Sequence, residues 1–120
     1  MKPRRCKSST DYDIFLDFPC TKTRLADLLG VARSTLVIWE NLAFWRLESF
    51  RNAYPKSENG SFDRESPLSP YQCWILGRIG RLMAQLRRSG RVKQYLAKNT
   101  QDFSRYQFNK AQNQVQKLGA

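Results

Sequence analysis

The 120-residue sequence contains no histidine and no CxxC pair of cysteines. Histidine is the usual general base of enzymes, and neither a glycine-rich phosphate loop nor a GxSxG nucleophile motif is present. The three cysteines, Cys6, Cys20 and Cys73, are widely spaced, and no histidine is present to complete a zinc site with them. We therefore expect a protein that is not an enzyme and that holds neither a metal nor a cofactor.

Long hydrophobic runs are also absent. No stretch of 18 apolar residues occurs, and no leader with an apolar core is recognisable, so we expect neither a membrane-spanning nor a secreted protein. An odd number of cysteines without a disulfide-like spacing favours a reducing compartment, the cytoplasm. The length suits one domain and leaves no room for a separate domain that binds a small-molecule effector.

Acidic residues are scarce in the second half of the chain. The 21 lysines and arginines outnumber the 10 acidic residues, which gives a formal net charge of +11. Residues 61–120 carry 11 basic and 3 acidic side chains, and no acid lies between Glu65 and Asp102. Such a charge attracts polyanions over long distances, and nucleic acid is the commonest of them. The composition therefore predicts a nucleic-acid partner.

Three segments are predicted along the chain. Residues 1–10 form a flexible basic arm, residues 11–68 a helix-turn-helix with a wing, and residues 69–120 a helical segment with a basic stripe and a dimerisation helix. Alternating apolar residues from Tyr12 to Phe18 favour a short strand. The expected fold class is mainly α, a winged helix-turn-helix with a small β-hairpin wing and C-terminal dimerisation helices.

A helix-turn-helix pattern begins near residue 21. Thr21 or Thr23 is expected to cap a first helix, which ends at Gly30, because a tight turn there needs a positive φ. A second helix, with Ser34 as a possible cap, is predicted to run to about Asn52, because apolar residues recur at three- and four-residue steps. That length is unusual for a recognition helix.

The rest of the chain predicts a wing and a third helix. Asn59-Gly60 is a strong short-range signal for a β-hairpin. Ser69-Pro70 provides a cap and a first-turn proline for a helix that we expect to end at Gly90. Gly77 and Gly80 would weaken this helix unless another element packs closely against it, so we expect a tight crossing there.

Spacing within the first two helices is that of a DNA-binding motif. Ala26 is small where the helices would cross, while Leu36 and Trp39 anchor the second helix. Four stretches together are similar to one known family: Leu25-Ala26, Gly30-Val31-Ala32-Arg33-Ser34-Thr35-Leu36, Trp39-Glu40 and Ser57-Glu58-Asn59-Gly60. On these residues the chain resembles the MerR family of transcriptional regulators.

The resemblance covers about residues 20–88 and implies a winged head that regulates transcription. Val37 stands where the family often has arginine, and Ser61-Phe62 replaces its usual Tyr-Arg after the wing glycine. The family's long coiled-coil helix and effector-binding cysteines have no counterpart, so sensing of metals or drugs is not implied. The compact head with a shortened tail is similar to the small repressors that accompany type V-K CRISPR-associated transposons.

The motif predicts that the second helix enters the major groove of double-stranded DNA. There Arg33 is expected to bind a guanine and Val37 to pack on a thymine methyl, while the first helix, the wing and the third helix hold phosphates. The expected DNA-binding residues are Thr21, Lys22, Thr23, Arg24, Arg33, Ser34, Val37, Lys56, Ser57, Asn59, Arg64, Arg78 and Arg81.

Two further helices are predicted, over residues 91–98 and about 103–118. The last one carries a narrow apolar stripe, which suits self-association: Phe108, Ala111, Val115 and Leu118. We therefore expect a homodimeric repressor that binds a palindromic operator in the nucleoid. An excisionase-like architectural protein, an RNA-binding protein and a protein-interaction adaptor remain alternatives.

Overall fold

Helices make up most of the computed structural model, which describes the backbone of residues 13–119 and the side chains of residues 13–114. The α-helices are α1 (Lys22–Leu29), α2 (Arg33–Arg46), α3 (Glu48–Asn52), α4 (Pro70–Leu86), α5 (Ser89–Lys98) and α6 (Arg105–Gly119). A 3-10 turn, Thr100–Phe103, joins α5 to α6. The prediction of a mainly α fold is confirmed, and the predicted arm at residues 1–10 lies outside the described residues.

The predicted strand near the N-terminus is not formed in the described part of it. Residues 13–19 have no regular structure, and an isolated antiparallel bridge follows, in which Cys20 and Leu68 exchange two backbone hydrogen bonds of 2.8 Å each. Ile14 nevertheless packs against the core from this segment, because an extended chain lying on a helix buries apolar side chains without a partner strand. Tyr12 lies outside the described residues.

The turn between α1 and α2 forms where the sequence predicts it. The Thr21 hydroxyl accepts a hydrogen bond of 3.2 Å from the Arg24 amide and so caps α1. Gly30 ends that helix with a φ of 73°, a conformation that costs glycine little. Ser34, however, does not cap α2, because the helix begins one residue earlier and Ala32 occupies the cap position without a side-chain bond.

The second helix is shorter than predicted. It ends at Arg46, where Leu47 adopts an extended conformation (φ −119°, ψ 104°), and the five-residue α3 then starts in a new direction. Leu47 and Phe50 are both buried, so the break itself and α3 each contribute an apolar side chain to the core. The guanidinium of Arg51 donates a hydrogen bond of 2.9 Å to the Phe44 carbonyl, which the end of α2 leaves without a helical partner.

The predicted β-hairpin wing is not seen, because residues 13–119 contain no regular strand. A single antiparallel bridge between Lys56 and Phe62 closes a turn, which we call the 56–62 turn. The Ser57 amide donates to the Ser61 carbonyl and the Asp63 amide to the Pro55 carbonyl, and the Asn59 side-chain oxygen also accepts from the Ser57 and Ser61 hydroxyls at 2.6 and 2.7 Å. Gly60 supplies the positive φ, 87°, that the turn needs.

Helix α4 lies at the centre of the core. Ser69 and Gln72 form a reciprocal capping box at its start, and the helix ends at Leu86, with Arg87 in the left-handed conformation, rather than at Gly90 as predicted. A Cβ added at Gly80 would lie 2.9 Å from the Trp39 ring of α2, so the predicted tight crossing is confirmed there. One hydrophobic cluster contains residues of both the 11–68 and the 69–120 segments.

Phe108 is a core residue and does not lie on a free apolar stripe. Its side chain is 6% exposed, and its ring centroid lies 5.3 Å from that of Trp74 and 5.7 Å from that of Tyr71. The dimerisation role assigned to Phe108 is therefore wrong, because the chain's own α4 covers it. Ala111 is half-buried, while the side chains of Val115 and Leu118 lie outside the described residues.

Phe108→Ala is expected to destabilise the monomer by about 3–5 kcal/mol, the usual cost of emptying a buried aromatic site. Tyr106→Ala is the matched control on the same helix, because Tyr106 is 70% exposed and its loss should change stability by less than about 0.5 kcal/mol. Urea unfolding of both variants measures the difference. Equal, small effects would show that α6 does not pack on α4.

Candidate nucleic-acid interface

One face of α2 is open to solvent along the length of the helix. Ser34, Ile38, Asn41 and Trp45 follow one another at three- and four-residue steps and are all exposed. Arg33, also exposed, makes no hydrogen bond or ion pair with another described side chain. This surface, which we call the α2 open face, is the surface that a recognition helix needs.

The opposite face of α2 is fixed in the core. Leu36, Leu42 and Ala43 are buried there, and the Trp39 ring lies against Gly80 of α4. Val37 is half-buried between the two faces, so it is less available to a base than the sequence suggested. The helix therefore presents its open face from a rigid support.

A buried carboxylate connects the elements around the motif. Glu40 is 1% exposed, and its Oε1 lies 3.1 Å from Lys22 Nζ of α1 and 3.6 Å from Arg64 Nη2. Its Oε2 accepts a hydrogen bond from the Tyr54 hydroxyl. Burial, together with the hydrogen bond to Glu40 and its charge, raises the pKa of Tyr54, so the phenol stays a neutral donor. We call these four residues the Glu40 network.

The Glu40 network corrects two site assignments. Lys22 and Arg64 were expected to hold phosphates, but both are half-buried and are counterions of Glu40. Lys22 Nζ also donates a hydrogen bond of 2.8 Å to the Arg64 carbonyl. The Arg64 guanidinium in turn lies 4.2 Å above the Phe44 ring and donates to the Asn41 side chain. Their charges are thus largely used within the protein.

Arg78 and Arg81 are likewise engaged inside the protein. Arg78 binds the Asp13 carboxylate through Nε and Nη2 at 3.2 and 3.0 Å and stacks over Trp74 at 4.2 Å. Arg81 pairs with the same carboxylate. Burial opposes ionisation of Asp13, but the hydrogen bond and charge of Arg78 and the charge of Arg81 outweigh it and hold its pKa below the usual range. The prediction that these two arginines contact phosphate is therefore wrong for this conformation.

The remaining predicted site residues lie at two exposed places beside α2. Thr21, Thr23 and Arg24 are exposed at the N-terminal end of α1, where free amides favour an anion. Lys56, Ser57 and Asn59 are exposed in the 56–62 turn, although the Asn59 oxygen is already used within the turn. The hydrogen bond between Lys22 and Arg64 holds the start of α1 close to the end of this turn.

Helix α5 contributes a basic surface that the motif did not indicate. A shallow groove separates it from the α2 open face, and Ile38, Trp45, Arg46, Ser89 and Lys93 are among the residues that line it. Two cations and no acid line this groove, which we call the α2–α5 groove. Four more exposed cations lie along the same stretch of chain: Arg87, Arg88, Arg91 and Lys98. The acid-free stretch after Glu65 was the sequence signal for this surface.

No family model, curated protein or solved structure gives a match to the chain. In residues 13–119, no helix has the length and apolar character to cross a bilayer. The same part of the chain has no cluster of three or more metal-ligating side chains. Cys20 and Cys73 are buried free thiols whose pKa burial raises, while Cys6 lies outside the described residues. Any functional argument therefore depends on shape and charge.

Glu40→Gln is expected to destabilise the protein by about 3–5 kcal/mol, because it leaves Lys22 and Arg64 half-buried without their counterion. Glu58→Gln makes the same chemical change at an exposed position of the 56–62 turn and should cost less than about 0.5 kcal/mol. Thermal unfolding followed by circular dichroism gives the comparison. If the two variants melt together, the Glu40 network does not stabilise the fold.

Proposed function

We propose that the protein is a sequence-specific, double-stranded DNA-binding regulator of transcription that places the α2 open face in the major groove. The observation that carries this proposal is the α2 open face itself, held on a rigid helix-turn-helix in a chain with a formal charge of +11. A major groove about 12 Å wide admits one α-helix. The resemblance to MerR heads over residues 20–88 supports the same function.

The contacts divide into those that read bases and those that hold phosphates. Arg33 and Ser34 lie in the first turn of α2, where side chains reach base edges and Arg33 can bind guanine in a bidentate manner. Thr23 and Arg24 at the start of α1, and Lys56 in the 56–62 turn, are exposed on elements that the Glu40 network ties to the middle of α2, and they bind the flanking backbone. The exposed arginines before and within α5 replace Arg78 and Arg81 as phosphate contacts on the far side.

We propose that the protein acts as a homodimeric repressor, which binds a palindromic operator. One head of this size covers only a short stretch of DNA, and two heads related by a dyad read two half-sites with added affinity. Since Phe108 is covered by α4, the self-association surface must use other residues, among which Val115 and Leu118 remain from the predicted stripe.

Binding to duplex DNA is expected to fall by a factor on the order of 10³–10⁵ between about 50 and 200 mM salt, if about 6–10 phosphates are contacted. Arg33→Ala should also lower the preference for a selected site over random duplex by the equivalent of about 1–3 kcal/mol. The site is obtained by sequencing duplexes that the protein retains from a random pool. Fluorescence anisotropy on both duplexes supplies the affinities.

Lys110→Ala is the control for charge alone, because Lys110 is exposed on α6, which packs against α4 and the 3-10 turn. It should leave the preference for the selected site unchanged. An Arg33→Ala variant with unaltered preference would show that the first turn of α2 does not read bases. Recovery of no preferred sequence would refute the proposed function, and affinity that ignores salt would refute its phosphate contacts.

A chain that ends after Gln114 is expected to sediment as a monomer where the full chain is a dimer. This truncation removes Val115 and Leu118 but keeps the core residues Phe103 and Phe108, so the head remains folded. Analytical ultracentrifugation measures the mass, and circular dichroism checks the fold. A truncated chain that still dimerises would move the interface away from the C-terminal turn of α6.

A further inference from the structure

Two large apolar side chains stand exposed on the α2 open face. Ile38 is 56% exposed and Trp45 is 66% exposed, although both lie on the helix that the proposed function places at the DNA. Isolated exposed apolar residues are ordinary, but two on one helix face, bordered by polar and basic side chains, mark a contact surface. Within the described residues, most of both side chains stays uncovered, although the Trp45 ring touches that of Phe44.

We propose that Ile38 and Trp45 contact the C5-methyl groups of two thymines and thereby fix part of the recognised sequence. Thymine carries the only methyl group that a base pair of unmodified DNA presents in the major groove, so it is the natural partner of an apolar side chain there. This inference rests on the proposed function and specifies which bases the C-terminal half of α2 reads.

The charges around the two residues favour DNA as the partner. Arg46 and Lys93 line the same groove and no acid does, so the apolar contacts share this groove with cations that suit the phosphates of DNA.

Both side chains are held in place before any partner arrives. Ile38 is β-branched, which restricts its χ1 angle in a helix. The Trp45 ring meets the Phe44 ring edge to face, with centroids 5.0 Å apart and an interplanar angle of 81°. Ordering these side chains on binding therefore costs little entropy. Most of the free energy gained by burying a thymine methyl group against them then contributes to affinity.

The helix geometry also fixes the spacing of the two thymines. Ile38 and Trp45 are seven residues apart, so they are separated by about 10.5 Å along the helix axis. Successive base pairs are about 3.4 Å apart along the DNA axis, and a helix in the groove is inclined to that axis, so this distance spans at most about three base pairs. The recognised sequence should accordingly contain two thymines no more than about three base pairs apart, on either strand.

Replacing single thymines of the selected site by deoxyuridine tests this inference, because the exchange removes one methyl group and leaves every hydrogen-bonding atom in place. At the two contacted positions the wild-type affinity should fall about fourfold per methyl, the factor equivalent to about 0.8 kcal/mol per buried CH₂. Substitution at other thymines should have no effect.

Two variants assign the methyl groups to residues. Ile38→Ala should bind the thymine site more weakly and lose its response to deoxyuridine at one position, while Trp45→Ala should lose the response at the other. Leu28→Ala is the matched control, since Leu28 is an exposed apolar residue on α1, outside the α2 open face. It should keep both responses, and all three variants should melt like the wild type.

The outcomes separate this inference from the proposed function. A protein that selects a duplex sequence but ignores deoxyuridine at every thymine overturns the inference alone. A double variant, Ile38→Ala with Trp45→Ala, that keeps the wild-type affinity and the wild-type response to deoxyuridine also overturns the inference. The apolar face of the wild type would then serve another partner, such as an acidic protein. Failure to select any duplex overturns both.

Discussion

The buried charge of Glu40 is the constraint on which the head of this protein depends. A carboxylate at 1% exposure is tolerable only if cations and donors surround it, and its partners come from three separate stretches of chain. Lys22 belongs to the start of α1, Tyr54 follows α3, and Arg64 follows the 56–62 turn. Satisfying one charge thus fixes the position of all three elements relative to α2, and this arrangement leaves the α2 open face uncovered.

Internal pairing changes how the net charge of the chain is to be interpreted. Lys22, Arg64, Arg78 and Arg81 all pair with Glu40 or Asp13 and hold the fold together. The exposed positive charge is therefore found at other places, mainly along α5 and just before it, with Arg33 at the start of α2. Because ion pairs depend on residues far apart in the chain, a count of basic residues indicates the class of partner but not which cations meet it.

Local signals account for what the sequence predicted well. Thr21, Gly30 and the Ser69-Pro70 pair act on their own neighbours, and each marks an element boundary where it was expected. The break at Leu47 was not predictable, because the apolar spacing of α2 continues through α3 without interruption. A narrow apolar stripe such as that of Phe108 fits a second copy or the chain's own core equally well, and only tertiary packing decides between them.

Long-range contacts explain the remaining errors at the site. Arg78 meets an aspartate 65 residues away, and no periodicity reports such a pair. Asn59-Gly60 correctly predicted a turn, but its flanks form only one bridge, and side-chain hydrogen bonds of Ser57 and Ser61 reinforce the backbone bonds that close it. Trp45 lies on the exposed side of α2, although it is a large aromatic residue.

The contact between Gly80 and Trp39 has a consequence for the evolution of this sequence. Any side chain at position 80 would meet the indole ring within about 3 Å, so the two positions cannot vary independently. A larger residue at position 80 would be accepted only with a smaller one at position 39, or with α2 displaced from α4 and the α2 open face moved as a group. Among homologous chains the identities at 39 and 80 should therefore covary.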